Sequence, residues 1–187
     1  TQVILDVAEN LTVDQDELVN VTGFHIHDGV TLNIDSDKFS TVALAARTAT
    51  GDGTMVVSLQ NNAFNLSNVA ASVTTTGSVT GNTTLDANAV LGTMTTTVSN
   101  GNTLQLLASQ ATGSTINGAG NVTVNALNLS AAADLSKITV SGTKLAKVLL
   151  DMTFTGDMND FAVDVAATKT LTGAAAKLTG LTIEDAA

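Results

Sequence analysis

Apolar residues recur along the chain in short alternations, each an apolar–polar–apolar triplet or a close variant. They stand at Leu11-Thr12-Val13, Leu32-Asn33-Ile34, Val57-Ser58-Leu59, Thr83-Thr84-Leu85, Leu104-Gln105-Leu106, Leu127-Asn128-Leu129, Val148-Leu149-Leu150 and Lys169-Thr170-Leu171. The last residues fall at 13, 34, 59, 85, 106, 129, 150 and 171, in steps of 21, 25, 26, 21, 23, 21 and 21. Alternation with period two predicts half-buried strands. A turn or cap former usually follows: Asp14, Asp35, Gln60, Asp86, Ser130, Asp151, Thr172. Its side chain can accept hydrogen bonds from the next backbone N–H groups. An apolar residue stands about five positions after the strand end, at Leu18, Phe39, Phe64, Val90, Ala111 and Leu135, which predicts a single helical turn. A second apolar set follows at Phe24/Ile26, Val42/Leu44, Val69/Val73, Ile116, Ile138/Val140, Val163/Val165 and Ile183. Glycine-rich corners then close the unit: Asp28-Gly29, Gly51-Asp-Gly53, Gly81-Asn82, Asn100-Gly101, Gly118-Ala-Gly120 and Ser141-Gly142.

A unit of strand, helical turn, strand and corner is too short to bury its own apolar face. Stacked units can do so. The pattern therefore predicts an all-β chain, a parallel β-solenoid of about eight coils of 21–26 residues, built as one repeat segment over residues 1–187. At ~4.8 Å per coil such a stack would be ~40 Å long. The competing architecture is a β-sandwich with strands every ~8–12 residues. A sandwich does not require a cap former at the same phase of every unit.

Composition agrees with stacking. Thr is about one residue in six, aromatic residues are 3%, and Pro, Cys, Trp and Tyr are all 0. β-branched residues suit strands, and a chain paired on both sides has no place for Pro, which lacks the N–H. Mean hydropathy is +0.29, enough apolar material to offset chain ordering. Net charge is -10, from Lys+Arg 7 against Asp+Glu 17. Nucleic-acid binding needs clustered cations, so it is excluded, and an anionic membrane surface is disfavoured. No apolar run approaches the ~18 residues of a spanning helix, so membrane insertion is not expected. Without Cys there are no disulfides, thiolate metal sites or thiol nucleophiles. The start at Thr-Gln-Val, without Met, suggests a processed product or an excerpt.

Two stretches carry a family resemblance: Leu104-Gln-Leu-Leu-Ala-Ser-Gln-Ala-Thr-Gly-Ser-Thr-Ile-Asn-Gly-Ala-Gly-Asn-Val-Thr-Val124 and Lys169-Thr-Leu-Thr-Gly-Ala-Ala-Ala-Lys-Leu-Thr-Gly-Leu-Thr-Ile183. The chain resembles the Thr/Ala/Gly-rich repeat regions of large bacterial surface proteins, namely surface-layer proteins and type I-secreted giant adhesins. That resemblance implies an extracellular, cell-surface location and a structural, adhesive or lattice role. Partners would be neighbouring segments or further copies of the protein, and cell-surface polysaccharide. Two other families fit less well. Calcium β-rolls need G-G-x-G-x-D nonapeptides, and Gly51-Asp-Gly53 and Gly118-Ala-Gly120 lack the aspartate in place. Leucine-rich repeats match locally at Leu178-Thr-Gly-Leu181-Thr-Ile183, without a repeated asparagine ladder.

Candidate chemistry is sparse. Asp14, Asp16, Asp35 and Asp37 form acidic groups one unit apart, and stacking would bring Asp14 near Asp35 and Asp16 near Asp37. Carboxylate oxygens so placed could hold Ca²⁺, although N-capping accounts for Asp14 and Asp35 without any ion. Asp157, Asp160 and Asp164 make a weaker second group. His25-Ile26-His27-Asp28 puts two imidazoles on one strand face, with Asp28 as a third ligand for a metal. The plain alternative is an outward-facing pair. Thr74–Thr76, Thr83-Thr84 and Thr95–Thr97 invite an ice-binding reading, but no T-x-T recurs at one phase in every coil. No nucleophile-elbow signature G-x-S-x-G is present, so no catalytic activity is expected. Sequons begin at Asn10, Asn20, Asn65, Asn82, Asn121 and Asn128. The expectation is a scaffold of the cell surface, with a calcium-dependent adhesive module as the rival.

Overall fold

The computed structural model describes residues 3–13, 18, 20–39 and 47–185. The chain is a parallel β-solenoid of about eight turns. It clusters into two compact units, Thr1–Thr97 and Val98–Ala187.

The first unit begins with β1 (Val3–Val7), β2 (Leu11–Val13), β3 (Val21–Ile26), β4 (Thr31–Asp35) and a four-residue helical turn, α1 (Ser36–Phe39). β5 (Thr48–Gly51), β6 (Thr54–Ser58), β7 (Thr74–Val79), β8 (Thr83–Thr84) and β9 (Thr95–Val98) follow, and the division between units falls inside β9. One sheet runs β1-β3-β5 and a second β2-β4-β6-β7-β9. In the second sheet Val13, Ile34, Val57 and Gly77 share a rung. In the first, Val7, Ile26 and Gly51 do so.

The second unit has β10 (Thr103–Leu107), α2 (Ala108–Ala111), β11 (Thr115–Gly118), β12 (Asn121–Asn125), β13 (Lys144–Val148), β14 (Met152–Phe154), β15 (Ala162–Val165), β16 (Leu171–Gly173), α3 (Ala175–Leu178) and β17 (Ile183–Asp185). Its main sheet runs β10-β12-β13-β15-β17, with β14 pairing β16. One rung of that sheet holds Leu106, Val124, Ala146, Val163 and Ile183.

These rungs correct the repeat read from leucines. Val57 and Val124, not Leu59 and Leu129, stand on the rungs. Leu127–Leu129 is a 3₁₀ turn, and Leu129 and Leu150 are exposed. Val163 and Ile183, expected in the second apolar set, belong to the same ladder as Leu106. The glycine corners explain the choice between phases. Strands β4, β6, β8, β10, β12 and β13 start just after Gly29, Gly53, Gly81, Gly101, Gly120 and Gly142. Where two apolar alternations lie close together, the one next to the corner joins the ladder.

Inside each coil the pattern is as alternation demands. Leu32, Ile34, Met55, Val57, Leu104, Leu106, Val122 and Val124 are buried, while the residues between them are partly exposed. All five Phe are buried, and Phe39 at the end of α1 stacks against Phe24 of β3 with centroids 6.1 Å apart. Phe64, Ala111 and Leu135 also point inward at the expected offset, whereas Val90 is exposed. The expected strand residues Val42 and Leu44 lie outside the described residues.

Asparagine and aspartate side chains extend the ladder where the backbone turns away. The Oδ1 of Asn10 accepts from the Thr31 amide at 2.8 Å, Asn61 from Thr84 at 2.6 Å, and Asn121 from Thr143 at 2.8 Å. Asn128 accepts from Leu149 at 3.1 Å and Asp151 from Thr170 at 2.7 Å. Each side chain takes the amide of the next coil, so the donor stays satisfied at the bend.

This geometry makes the corners unequal in what they tolerate. At Gly51, φ is +95° and an added Cβ would sit 2.1 Å from the Ile26 carbonyl oxygen, while Gly29, at φ +73°, has open space. In urea denaturation Gly51→Ala should cost about 3 kcal/mol or more and Gly29→Ala only about 1 kcal/mol. Equal losses would refute the close-approach argument. Asn121→Ala should speed hydrogen exchange at the Thr143 amide and cost about 1 kcal/mol. Asn121→Asp, which keeps the accepting oxygen, should restore protection.

Candidate functional site

Asp14 and Asp16 lie outside the described residues. Asp35 ends β4 and stands in register with Ser58 of the next coil. Asp37 is in α1, 3.3 Å from Lys38 Nζ, and its Oδ1 is buried without a hydrogen bond. The other acidic group is taken up separately. Asp160 pairs with Lys144, and Asp164 lies 3.8 Å from Lys147, its rung neighbour. Asp157 instead caps its own turn by accepting from the Asn159 amide at 2.8 Å.

The same aspartate turn is seen at Asp86 and Asp134. Asp134 is bridged in register to Asp157 of the next coil. Hydrogen bonds from the Ser136 hydroxyl and amide hold the Asp134 carboxyl below the usual aspartate value, helped weakly by Lys137 and Lys177.

The histidines of β3 do have a carboxylate, though not Asp28. Asp6 of β1 stands on the rung of His25, and Thr50 of β5 stands on the other side. His27 Nε2 lies 2.8 Å from Asp6 Oδ1, and the two imidazole rings are 5.1 Å apart, edge to face. Among the described residues, Asp6, His25 and His27 are the one group of three such side chains whose ligand atoms fall within 4.8 Å of one another. A motif read along the chain misses Asp6 because it stands a full coil before His25. The alternation Val3-Ile4-Leu5-Asp6-Val7, set against Val21–Ile26, is the available signal.

The threonine runs do not make a flat face. Thr83 and Thr96 are buried, whereas Thr74, Thr84 and Thr97 face outward. Several sequon asparagines have structural contacts: Asn10, Asn121 and Asn128 bracket the next coil, and Asn65 accepts from the Ser67 amide. No described helix is long and apolar enough to cross a membrane.

The one arginine, Arg47, is 9% exposed. Its Nε donates to the Val21 carbonyl at 2.8 Å, Nη2 to Leu18 at 3.2 Å, and Nη1 to Phe39 at 3.0 Å and also to Lys38. Burial pushes the guanidinium below its usual value. A planar fork of five fixed donors spans carbonyls from two parts of the chain with a breadth that a compact ammonium does not match. This is a structural role. The sequence shows Arg47 only as the lone arginine of an acidic chain, and nothing local marks it as a buried donor.

The chain matches no protein-family model, and comparisons with curated proteins and with solved structures also gave no match. What the geometry defines is the class: a β-solenoid repeat protein.

Arg47→Met should lower the urea-denaturation stability by about 2–4 kcal/mol, because several carbonyls lose a charged donor at once. Arg47→Lys should recover only part of that. A loss for Arg47→Met under about 0.5 kcal/mol, the range of an ordinary surface substitution, would show that the carbonyls are otherwise satisfied.

Proposed function

We propose that this chain is a structural segment of a secreted bacterial cell-surface protein, of the surface-layer or adhesin-scaffold kind. It acts by self-association or as a stiff spacer, and not as an enzyme. The observation that carries the reading is the parallel ladder itself. Nearly every strand is held by strands one coil away in sequence, an arrangement suited to transmitting load and to adding further coils. β1 ends its sheet, and Val3 and Ile4 on it are 42% and 49% exposed. Such an edge is a template for another strand, from a neighbouring segment or a second copy. Surface polysaccharide is the further partner this role implies.

The calcium-dependent adhesive reading has one observation in its favour, the buried and unpartnered Asp37 Oδ1. Sedimentation velocity across concentration, with calcium or with EGTA, separates the two. The scaffold reading expects assembly that grows with concentration, ignores EGTA and is reduced by Ile4→Lys, which places a charge on the edge. Assembly or melting that collapses in EGTA would favour the calcium module. A monomer at all concentrations would overturn self-association, and antibody failing to label intact source cells would overturn the surface role.

A further inference from the structure

We propose that Asp6, His25 and His27 form a binding site for one divalent ion of the zinc class, clamping two neighbouring coils of the first unit together. Two imidazoles and one carboxylate are the donor set that borderline ions such as Zn²⁺ prefer, while Ca²⁺ and Mg²⁺ favour all-oxygen sites. The placement comes from the ladder. His25 and His27 are two positions apart across the end of β3, so their side chains leave the same face. Asp6 is brought opposite His25 by the β1–β3 register, and the His27 amide is tied to the Val7 carbonyl at 3.1 Å. The backbone under all three donors is therefore held, and only the exposed side chains need to turn.

The hydrogen bonds around the rings favour ligation. Thr50 Oγ1 donates its one hydrogen to the Phe24 carbonyl at 3.3 Å. Its contact with His25 Nδ1, also 3.3 Å, is then made by the ring N–H. In that tautomer the His25 Nε2 lone pair is the one available to an ion, with Thr50 as the outer hydrogen-bond partner. At His27 the proton shared between Nε2 and Asp6 Oδ1 occupies the place the ion would take. The ion would take the Nε2 lone pair of the Nδ1–H tautomer of His27, the Nε2 proton leaving to solvent and the ring's one hydrogen residing on Nδ1, taken up from solvent where it was not already there. The side chains of His27 and Asp6 are 47% and 65% exposed, so the ion can enter from solvent and keep water in its remaining coordination position.

The experiment is calorimetric titration of the tag-free full chain with zinc chloride. It should show one ion per chain, and calcium chloride should give no binding at this site. His25→Ala, His27→Ala and Asp6→Asn should each weaken zinc at least tenfold, and Thr50→Val should weaken it severalfold. Asp28→Asn, next to His27 in sequence but outside the cluster, should leave zinc affinity unchanged. Zinc should also raise the melting temperature of the wild type and not of His27→Ala. Equal melting temperatures without metal verify that the variants fold. No zinc binding by the wild type, or zinc binding that survives His27→Ala or depends on Asp28, would overturn the site. Neither result bears on self-association.

Discussion

The hydrogen-bond ladder from one coil to the next is the constraint on which the rest depends. A strand residue within the stack must share its rung with one residue a coil earlier and another a coil later. The spacing between rungs is ~4.8 Å, so at some corners the backbone passes close over the coil below, while others, as at Gly29, Gly81 and Gly101, stay open. Gly51 and Gly118 make the close approach. Their φ values are +95° and +111°, and a Cβ at either would lie 2.1 or 2.3 Å from a carbonyl of the preceding coil. Asn10, Asn121 and Asp151 then hold amides that the bend would otherwise leave unpaired. Arg47 does the converse job, supplying donors to carbonyls.

The same constraint explains why the chain carries so little charge. Charged residues are 13%, and a charge repeated at one phase would stack on its like at the rung spacing. Lys147 and Asp164, which do share a rung, are opposite in sign, although Glu184 follows Asp164 on that rung at the end of the sheet. Asp134 and Asp157 are a second like-charged pair, and there each carboxylate is turned back onto its own loop by the amide two positions on. Uncharged Thr, Asn and Ser solvate the outer face without that penalty.

Stacking also converts distance in sequence into proximity. Asp6, His25 and Thr50 lie on three successive coils and form one row. The carboxylate adjacent in sequence, Asp28, is not part of the cluster. Side chains in a solenoid are therefore grouped across coils, and a motif read along the chain does not show which carboxylate stands beside these histidines.

Much of the fold was legible because its causes are local. Period-two alternation, glycine corners and the inward apolar residue about five positions after several strands could be read directly, and the burial of Leu32, Leu104, Phe39 and Ala111 follows from them. Among the described residues, only the turns ending at Phe39 and Ala111, of those expected, are helical. The register was only partly legible. Leu127-x-Leu129 alternates as well as Val122-x-Val124, and alternation alone does not separate them. The corner at Gly118–Gly120 decides, since β12 begins directly after it and pairs with β10. The sequence by itself determined that stacked strands would form and which residue types would face inward, because pleating and burial act within a short stretch of chain. Only the tertiary structure decided which alternation meets which, and so which side chains share a row, because hydrogen-bond register is a property of two coils and not of one.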